Sequence, residues 1–100
     1  PTTPRNCTHV FHQYVIRSPQ RDALLEHMKT AGVPLLIHYP IPCHLQEACH
    51  HLGWRQGSLP RTERHSAHII SLPMHPYLTD TYVDELSDKI IDYENRTRRP

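Results

Sequence analysis

The sequence predicts a small α/β fold of the α+β type, with a sheet of about three short strands and helices packed on one face. Three short stretches are rich in β-branched and aromatic residues, which favour strands. They alternate with segments whose apolar residues recur at helical spacing, and no hairpin turn signal joins any two of them. The 100 residues are enough for one domain with a modest core. These observations favour a layer of helices against a small sheet.

The first predicted elements are a strand and a helix. The strand is predicted over residues 9–17, where aromatic and β-branched residues dominate. A helix should follow, because the Ser18 hydroxyl can cap a helix whose first position is Pro19. Apolar residues then recur at helical spacing up to Ala31. Gly32 is expected to end this helix in a left-handed conformation, which glycine adopts without steric cost.

The stretch after this glycine organises the chain and carries its candidate site. A short apolar run predicts a buried strand over residues 35–38, and prolines should stiffen the turn that follows it. Three polar side chains of this turn could face a ligand, namely His38, Tyr39 and His44. An aromatic residue that ends a strand and a histidine that starts a helix would give the same pattern. The residues alone therefore leave both interpretations open.

The second half of the chain predicts two further helices, a third strand and a long final helix. A short helix is predicted over residues 44–52, ended by Gly53, and a second helix should start at Pro60 and run to about residue 68. Residues 69–72 indicate a strand. The last helix should begin at Thr79, with acids in its early turns where the helix dipole favours them. Its inward stripe is expected to consist of Val83, Leu86, Ile90 and Tyr93.

Composition limits the classes of partner and compartment. We expect one domain over residues 9–95, a linker or disordered segment at 1–8 and a basic tail at 96–100. The formal net charge is only +1, which is no electrostatic footprint for nucleic acid. No apolar run approaches membrane-spanning length, so we expect no membrane partner. Three cysteines leave at least one thiol unpaired, which fits a reducing cytoplasm.

Ten histidines and three cysteines make zinc the first chemistry to consider. No pair of cysteines has the short spacing of a zinc site, and Cys43 and Cys49 would not share a helix face. His65 and His68 are neighbours on a helix but have no third ligand nearby in sequence. We therefore predict no metal ligands, and a small metal-binding protein is kept as a minor alternative.

No residue of this chain is predicted to be catalytic. Neither Cys43 nor Cys49 has the electropositive setting that activates a thiol nucleophile. Three glycines leave no phosphate-cradling loop. Lys29 and Lys89 lie on polar helix faces flanked by charge, whereas a lysine that reacts with a carbonyl needs a desolvated or cationic pocket.

Several short motifs are distinctive in their order and spacing, although each alone is common. They are HQYVIR at residues 12–17, GV at 32–33, LIHYPIP at 36–42, HLQ at 44–46, LGW at 52–54, Pro60 with Glu63, SLPMHP at 71–76 and LT at 78–79. With them, the chain resembles the C-terminal small domain of the DegT/StrS family of sugar aminotransferases over nearly its whole length. Its HYPIP and SLPMHP segments are most similar to members that aminate nucleotide-linked 3-keto-6-deoxy sugars.

This resemblance implies a homodimeric, pyridoxal-phosphate-dependent enzyme that combines a large cofactor domain with this small one. In such enzymes the region matching His38, Tyr39 and His44 lies on the substrate side of the active site, which implies substrate binding by these residues. The large domain, with the lysine that binds the cofactor and the phosphate-binding residues, has no counterpart here. Pro34 and Cys43 also depart from the family pattern.

Three hypotheses follow from the residues and the resemblance. In the first, the chain is a detached C-terminal domain of a nucleotide-sugar aminotransferase, which binds no cofactor by itself and is inactive alone. Its partner would be the missing large domain, or a second copy joined through the apolar sheet face. In the second, it is a stand-alone module that binds a nucleotide-sugar at the turn or self-associates. The third is the metal-binding protein.

Overall fold

A computed structural model describes residues 2–97 and shows a mixed fold of helices on a small antiparallel sheet. The elements in chain order are strand β1 (Tyr14–Arg17), helix α1 (Arg21–Thr30), two short 3₁₀ segments (Cys43–Leu45 and Glu47–Leu52), helix α2 (Pro60–His68), strand β2 (Ile69–Leu72) and helix α3 (Asp80–Thr97). Strands β1 and β2 pair antiparallel. The buried core joins α1, β2, α3 and the segment after α1, through Leu24, Met28, Val33, Leu35, Ile70 and Leu86.

The first strand is shorter than predicted. The prediction covered residues 9–17, whereas β1 begins only at Tyr14. Phe11 and Gln13 have positive φ angles of 48° and 66°, which interrupt an extended backbone. The His9 ring, whose Nδ1 accepts the Phe11 N–H at 2.7 Å, also bends the chain back on itself. Local side-chain hydrogen bonding therefore competes with strand pairing in this segment.

The predicted strand at residues 35–38 is reduced to a single bridge. Leu36 exchanges two backbone hydrogen bonds with Ser71, of 2.7 and 3.4 Å. Pro34 lacks an N–H, and Pro40 follows closely, so the extended run between them is too short for a ladder. The sheet thus has two strands and one bridging residue where three strands were predicted, in the order β1, β2, Leu36.

Helix α1 begins later than predicted and ends as predicted. Ser18 does not cap it; its hydroxyl accepts the Gln20 N–H at 3.2 Å and donates to Glu94 Oε1 at 2.6 Å. The hydroxyl therefore ties the turn before α1 to the last turns of α3. At the other end, Gly32 has the predicted left-handed conformation, with φ 78°. Its N–H and that of Val33 bond back into the helix, so the C-terminus is closed.

The predicted helix at residues 44–52 is wrong in type. Two 3₁₀ segments replace it, because Gln46 between them is extended, with ψ 147°. Of the apolar residues in this region, Leu45 and Cys49 are half-buried, whereas Leu52 is 58% exposed. Gly53 ends the second segment with φ 76°, as predicted. The apolar side chains of this region are thus only partly buried against the described part of the chain.

The last three elements lie where they were predicted. Helix α2 and strand β2 have the predicted bounds, and Thr79 caps α3 by accepting the Tyr82 N–H at 3.2 Å. Of the predicted inward stripe, Leu86 is buried, and Ile90 and Tyr93 pack half-buried against the core. Val83 was predicted wrongly: it is 42% exposed, and Tyr82 contacts the core instead.

The predicted tail and linker lie partly outside the described residues. Residue 1 of the linker and residues 98–100 of the basic tail, with Arg98 and Arg99, are outside, whereas Arg96 lies in the last turn of α3. Thr2 to Thr8 contain a turn in which the Cys7 N–H bonds to the Pro4 carbonyl at 3.1 Å. None of the helices within 2–97 is long and apolar enough to cross a membrane.

Candidate functional site

An open cleft of about 760 Å³ lies beside β2. Its walls come from the loop before β1, the segment after α1 and the segment after β2. They comprise Val10, Phe11, His12, Gln13, Pro34, Leu36, His38, Ser71, Leu72, Pro73, Met74, His75 and Pro76. The volume falls in the range of small-molecule sites, and the lining joins apolar walls to a few polar groups, which is typical of such sites.

His38 is the residue of the predicted site that lines this cleft. Its side chain is half-buried, and its Nδ1 atom lies 2.8 Å from the hydroxyl oxygen of Ser71. Ser71 is itself 5% exposed and is held by the two backbone bonds to Leu36. The sheet therefore fixes the ring of His38 through a buried hydroxyl. Its other ring nitrogen is not engaged by this bond.

Tyr39 contacts His38 but stands in solvent. The two rings meet edge to face, with centroids 5.7 Å apart, and the peptide bond between the residues is cis. The Tyr39 side chain is 66% exposed and is not among the described residues that line the cleft. It therefore presents an aromatic face and a hydroxyl outside the cleft, next to His38.

His44 lies in the first 3₁₀ segment and is 7% exposed. Its Nε2 atom lies 3.0 Å from Glu63 Oε1, on helix α2. Its Nδ1 atom is buried and has no hydrogen-bond partner within residues 2–97. A buried ring nitrogen without a partner is unusual in a folded protein. The structure thus brings His38 and Tyr39 together and directs His44 towards Glu63.

Glu63 gathers four hydrogen bonds and was missed by the sequence analysis as a site residue. Its carboxylate accepts the Gly57 N–H at 2.8 and 3.0 Å, the Leu59 N–H at 3.1 Å, and faces His44. The Gly57 N–H first, then His44 and the Leu59 N–H, lower the pKa of this carboxyl below its ordinary value. Glutamate in the first turn of a proline-started helix is the one local signal of such a role.

The alternative chemistries have no assembled site in the described part of the chain. Within residues 2–97, no group of three or more histidine, cysteine or acidic side chains is placed to hold a metal ion. Cys7, Cys43 and Cys49 are free thiols. Lys29 is highly exposed and faces Glu26 at 3.9 Å, so it is a solvated helix residue.

Comparisons with known proteins identify relatives of this chain. A model of the DegT/DnrJ/EryC1/StrS aminotransferase family matches residues 1–91. A dTDP-3-amino-3,4,6-trideoxy-alpha-D-glucose transaminase from Micromonospora megalomicea is 41% identical over 85 residues, or 84% of this chain and 22% of the relative. A pleiotropic regulatory protein from Geobacillus stearothermophilus is 40% identical, over 85% of this chain and 23% of that protein. The chain therefore spans less than a quarter of these relatives.

A solved structure extends the similarity to the fold. DesV from S. venezuelae is similar to the whole chain with a TM-score of 0.88 at 31% identity, and the match covers 26% of DesV. This agreement confirms the predicted fold class, with two strands in place of three. The family match covers residues 1–91, and the structural similarity covers the whole chain. The chain belongs to the DegT/DnrJ/EryC1/StrS aminotransferase family.

Proposed function

We propose that this chain is the C-terminal small domain of a pyridoxal-phosphate-dependent nucleotide-sugar aminotransferase and is not catalytically competent by itself. The observation that carries the proposal is the match of residues 1–91 to the aminotransferase family, together with the similarity of the whole chain to about a quarter of DesV at a TM-score of 0.88. The reaction then belongs to the full-length protein, to which this domain contributes part of the substrate-binding wall.

The described residues do not fit pyridoxal phosphate. The cofactor needs a lysine in a desolvated or cationic setting, whereas Lys29 is solvated beside Glu26 and Lys89 lies among the acidic residues of α3. The chain also lacks a glycine-rich loop that could cradle a phosphate. We therefore assign cofactor binding and the chemical step to the remainder of the full-length protein, and none of it to this chain.

The substrate role is proposed for the turn that carries His38, Tyr39 and His44. A half-buried imidazole held by Ser71 and an exposed phenol beside it suit hydrogen bonding and stacking with a nucleotide-sugar. His44 is buried, so its contribution depends on the position that the turn takes in the full-length protein. The relative from Micromonospora megalomicea is named for a dTDP-sugar substrate, which supports this class of ligand.

We further propose a cytoplasmic location and a homodimeric full-length enzyme. The three free thiols favour a reducing compartment. The exposed apolar side chains of the domain favour a large covering partner, which would be the cofactor domain, with a second copy as the alternative.

A chimera tests the proposal directly. The 26% of DesV that matches this chain would be replaced by the chain, and transamination of a nucleotide-linked keto sugar by the chimera would be measured. If the chain is the small domain of such an enzyme, the chimera should bind pyridoxal phosphate and retain measurable activity. The replacement Tyr39→Phe in the chimera should raise KM, because it removes only the proposed hydroxyl contact. A chimera that folds and binds cofactor but shows no turnover would contradict the proposal.

The isolated chain provides the complementary measurements. Titration with pyridoxal phosphate should produce no saturable change in visible absorbance, whereas a cofactor band would contradict the assignment of all cofactor contacts to the rest of the protein. Titration with a nucleotide-sugar, followed by Trp54 fluorescence, distinguishes a domain that depends on its partner from a stand-alone binding module. A saturable change that Tyr39→Phe abolishes would favour the stand-alone module.

A further inference from the structure

We infer that Glu63 is a positioning residue: it holds His44 in the tautomer that carries its proton on Nε2, so that Nδ1 is a fixed hydrogen-bond acceptor. The functional meaning of this inference rests on the proposed function, in which His44 belongs to the substrate-facing turn. The tautomer itself follows from contacts within the chain.

The direction of the hydrogen bond fixes the proton. His44 Nε2 lies 3.0 Å from Glu63 Oε1, and an ionised carboxylate can only accept a hydrogen bond. The Nε2 atom must therefore be the donor. In the neutral ring the second nitrogen then has no proton and offers a lone pair. The hydrogen bond made by one ring nitrogen thus determines what the other can bind.

Glu63 can impose this choice because it is held independently of His44. The backbone N–H groups of Gly57 and Leu59 both point at its carboxylate, at distances of 2.8 to 3.1 Å. These bonds favour the ionised carboxylate, and the lowered pKa of Glu63 agrees with them. The loop before α2 thus fixes the position and the ionised state of the carboxylate, and the tautomer of the imidazole follows from them.

The Nδ1 atom of His44 is the consequence of this arrangement. It is buried and has no partner among residues 2–97, and the residue as a whole is only 7% exposed. With Glu63 occupying Nε2 and the ring neutral, only a hydroxyl or N–H donor can satisfy this atom. Glu63 thus determines that a group bound at His44 Nδ1 must be a hydrogen-bond donor and cannot be an acceptor.

The first measurement is the tautomer of His44 in the 100-residue chain, from long-range proton–nitrogen NMR correlations at neutral pH. We expect a single species with the proton on Nε2. The replacement Glu63→Gln keeps the shape but removes the charge, and a carboxamide can also donate, so we expect a mixture of tautomers. The exposed Glu47 of the neighbouring 3₁₀ segment provides the matched control, Glu47→Gln, which should leave the His44 signals unchanged.

The second measurement is amide hydrogen exchange at Gly57 and Leu59. Since each N–H bonds to the charged carboxylate, Glu63→Gln should speed their exchange by about tenfold or more. His44→Gln is the conservative rescue: its amide can still donate to Glu63, so protection at Gly57 and Leu59 should persist. If Glu63→Gln does not fold, the tautomer of His44 in the wild-type chain still decides the inference.

Two outcomes would overturn the inference. One is a wild-type His44 with its proton on Nδ1, with both tautomers equally populated, or with protons on both ring nitrogens at neutral pH. The other is a folded Glu63→Gln variant whose His44 tautomer is the same as in the wild type. Neither measurement involves a sugar or a cofactor, so failure here leaves the aminotransferase proposal standing. Conversely, an inactive chimera would leave the tautomer result unaffected.

Discussion

Gly32 shows how one residue fixes the end of helix α1. Its φ of 78° lies in the left-handed region, and a Cβ built there would meet no atom within 4 Å. The strain of Gly32→Ala is therefore purely that of the backbone, and we expect it to lower the free energy of unfolding by about 1–2 kcal/mol. Chemical denaturation measures this change. Gly32→Asn should have a smaller effect, because asparagine tolerates this conformation, and equal effects for both variants would contradict the explanation.

Glu63 should give the unfolding free energy a measurable acid dependence. Its pKa is lowered in the folded state, first by the Gly57 N–H and then by His44 and the Leu59 N–H. A lowered pKa stabilises the fold above the ordinary value of 4.5, and this contribution is lost as the pH falls through the folded-state value. The difference in unfolding free energy between wild type and Glu63→Gln should thus shrink as the pH is lowered from 6 to 3. Denaturation at several pH values measures it.

Glu47→Gln is the control for this pH series and should follow the wild type throughout. The experiment decides whether the difference in unfolding free energy between wild type and Glu63→Gln shrinks or grows as the pH falls. A difference between wild type and Glu63→Gln that stays constant, or grows as the pH is lowered below 5, would show that the carboxylate bonds do not stabilise the fold in the way described.

The candidate site could be predicted from sequence only in part, because its signals are local and its contacts are not. The prolines of the turn indicate a fixed position for His38, Tyr39 and His44, which are close together in the chain. Their partners are distant: Ser71 lies 33 residues from His38, and Glu63 lies 19 residues from His44. No periodicity links residues at such separations, so only the folded arrangement reveals which hydroxyl or carboxylate each ring faces.

At the scale of elements, Ser18 joins the beginning of α1 to the end of α3. Its hydroxyl is almost fully buried and donates to Glu94 at 2.6 Å, while it also accepts the Gln20 N–H. Because a hydrogen bond to a charged group contributes about 1.5–3 kcal/mol, Ser18→Ala should lower the free energy of unfolding by roughly this amount. Ser87 provides a matched control, since its hydroxyl only returns to a carbonyl of its own helix at an exposed position.

Denaturation of both variants tests this connection. Ser87→Ala should change the free energy of unfolding by less than about 0.5 kcal/mol. If Ser18→Ala is equally harmless, the contact with Glu94 does not stabilise the docking of α3, and the ring contact between His27 and Tyr93, with centroids 4.9 Å apart, would be the more important link between the two helices.

The bounds of the elements were predictable where a stop signal lies in the sequence itself. Gly32 and Pro60 each supply a backbone property, and Thr79 supplies a hydroxyl that caps its own helix. None of these needs a distant partner, and the elements end or begin beside them. The strand predicted at 9–17 and the helix predicted at 44–52 failed for the opposite reason. Their apolar patterns are real, but which residues pair is decided by tertiary contacts and by the φ angles of a few linking residues.

At the scale of the whole molecule, the domain buries little of its apolar surface. Only six hydrophobic residues of the described part form the buried core. Several large apolar side chains are mostly exposed, including Val10, Leu36, Tyr39, Ile41 and Tyr77. Exposed apolar surface of this extent is typical of proteins that bury it against a partner. Relatives about four times as long are consistent with a partner within the same full-length chain.

The exposed apolar surface in the cleft beside β2 can be tested by the binding of a dye. Leu36 and Met74 line it and are 61% and 44% exposed, so they offer a concave apolar wall to an environment-sensitive dye. We expect the chain to enhance the fluorescence of such a dye, and Leu36→Ser with Met74→Ser to reduce the signal by at least half, since the binding energy scales with apolar area. Ile91 on α3 is similarly exposed but lies outside the cleft, so Ile91→Ser should leave the signal nearly unchanged.

In the chimera the cofactor domain should cover the wall and suppress the fluorescence. An equal loss for Ile91→Ser, or a chimera as bright as the isolated chain, would mean that the cleft is not the surface a partner covers.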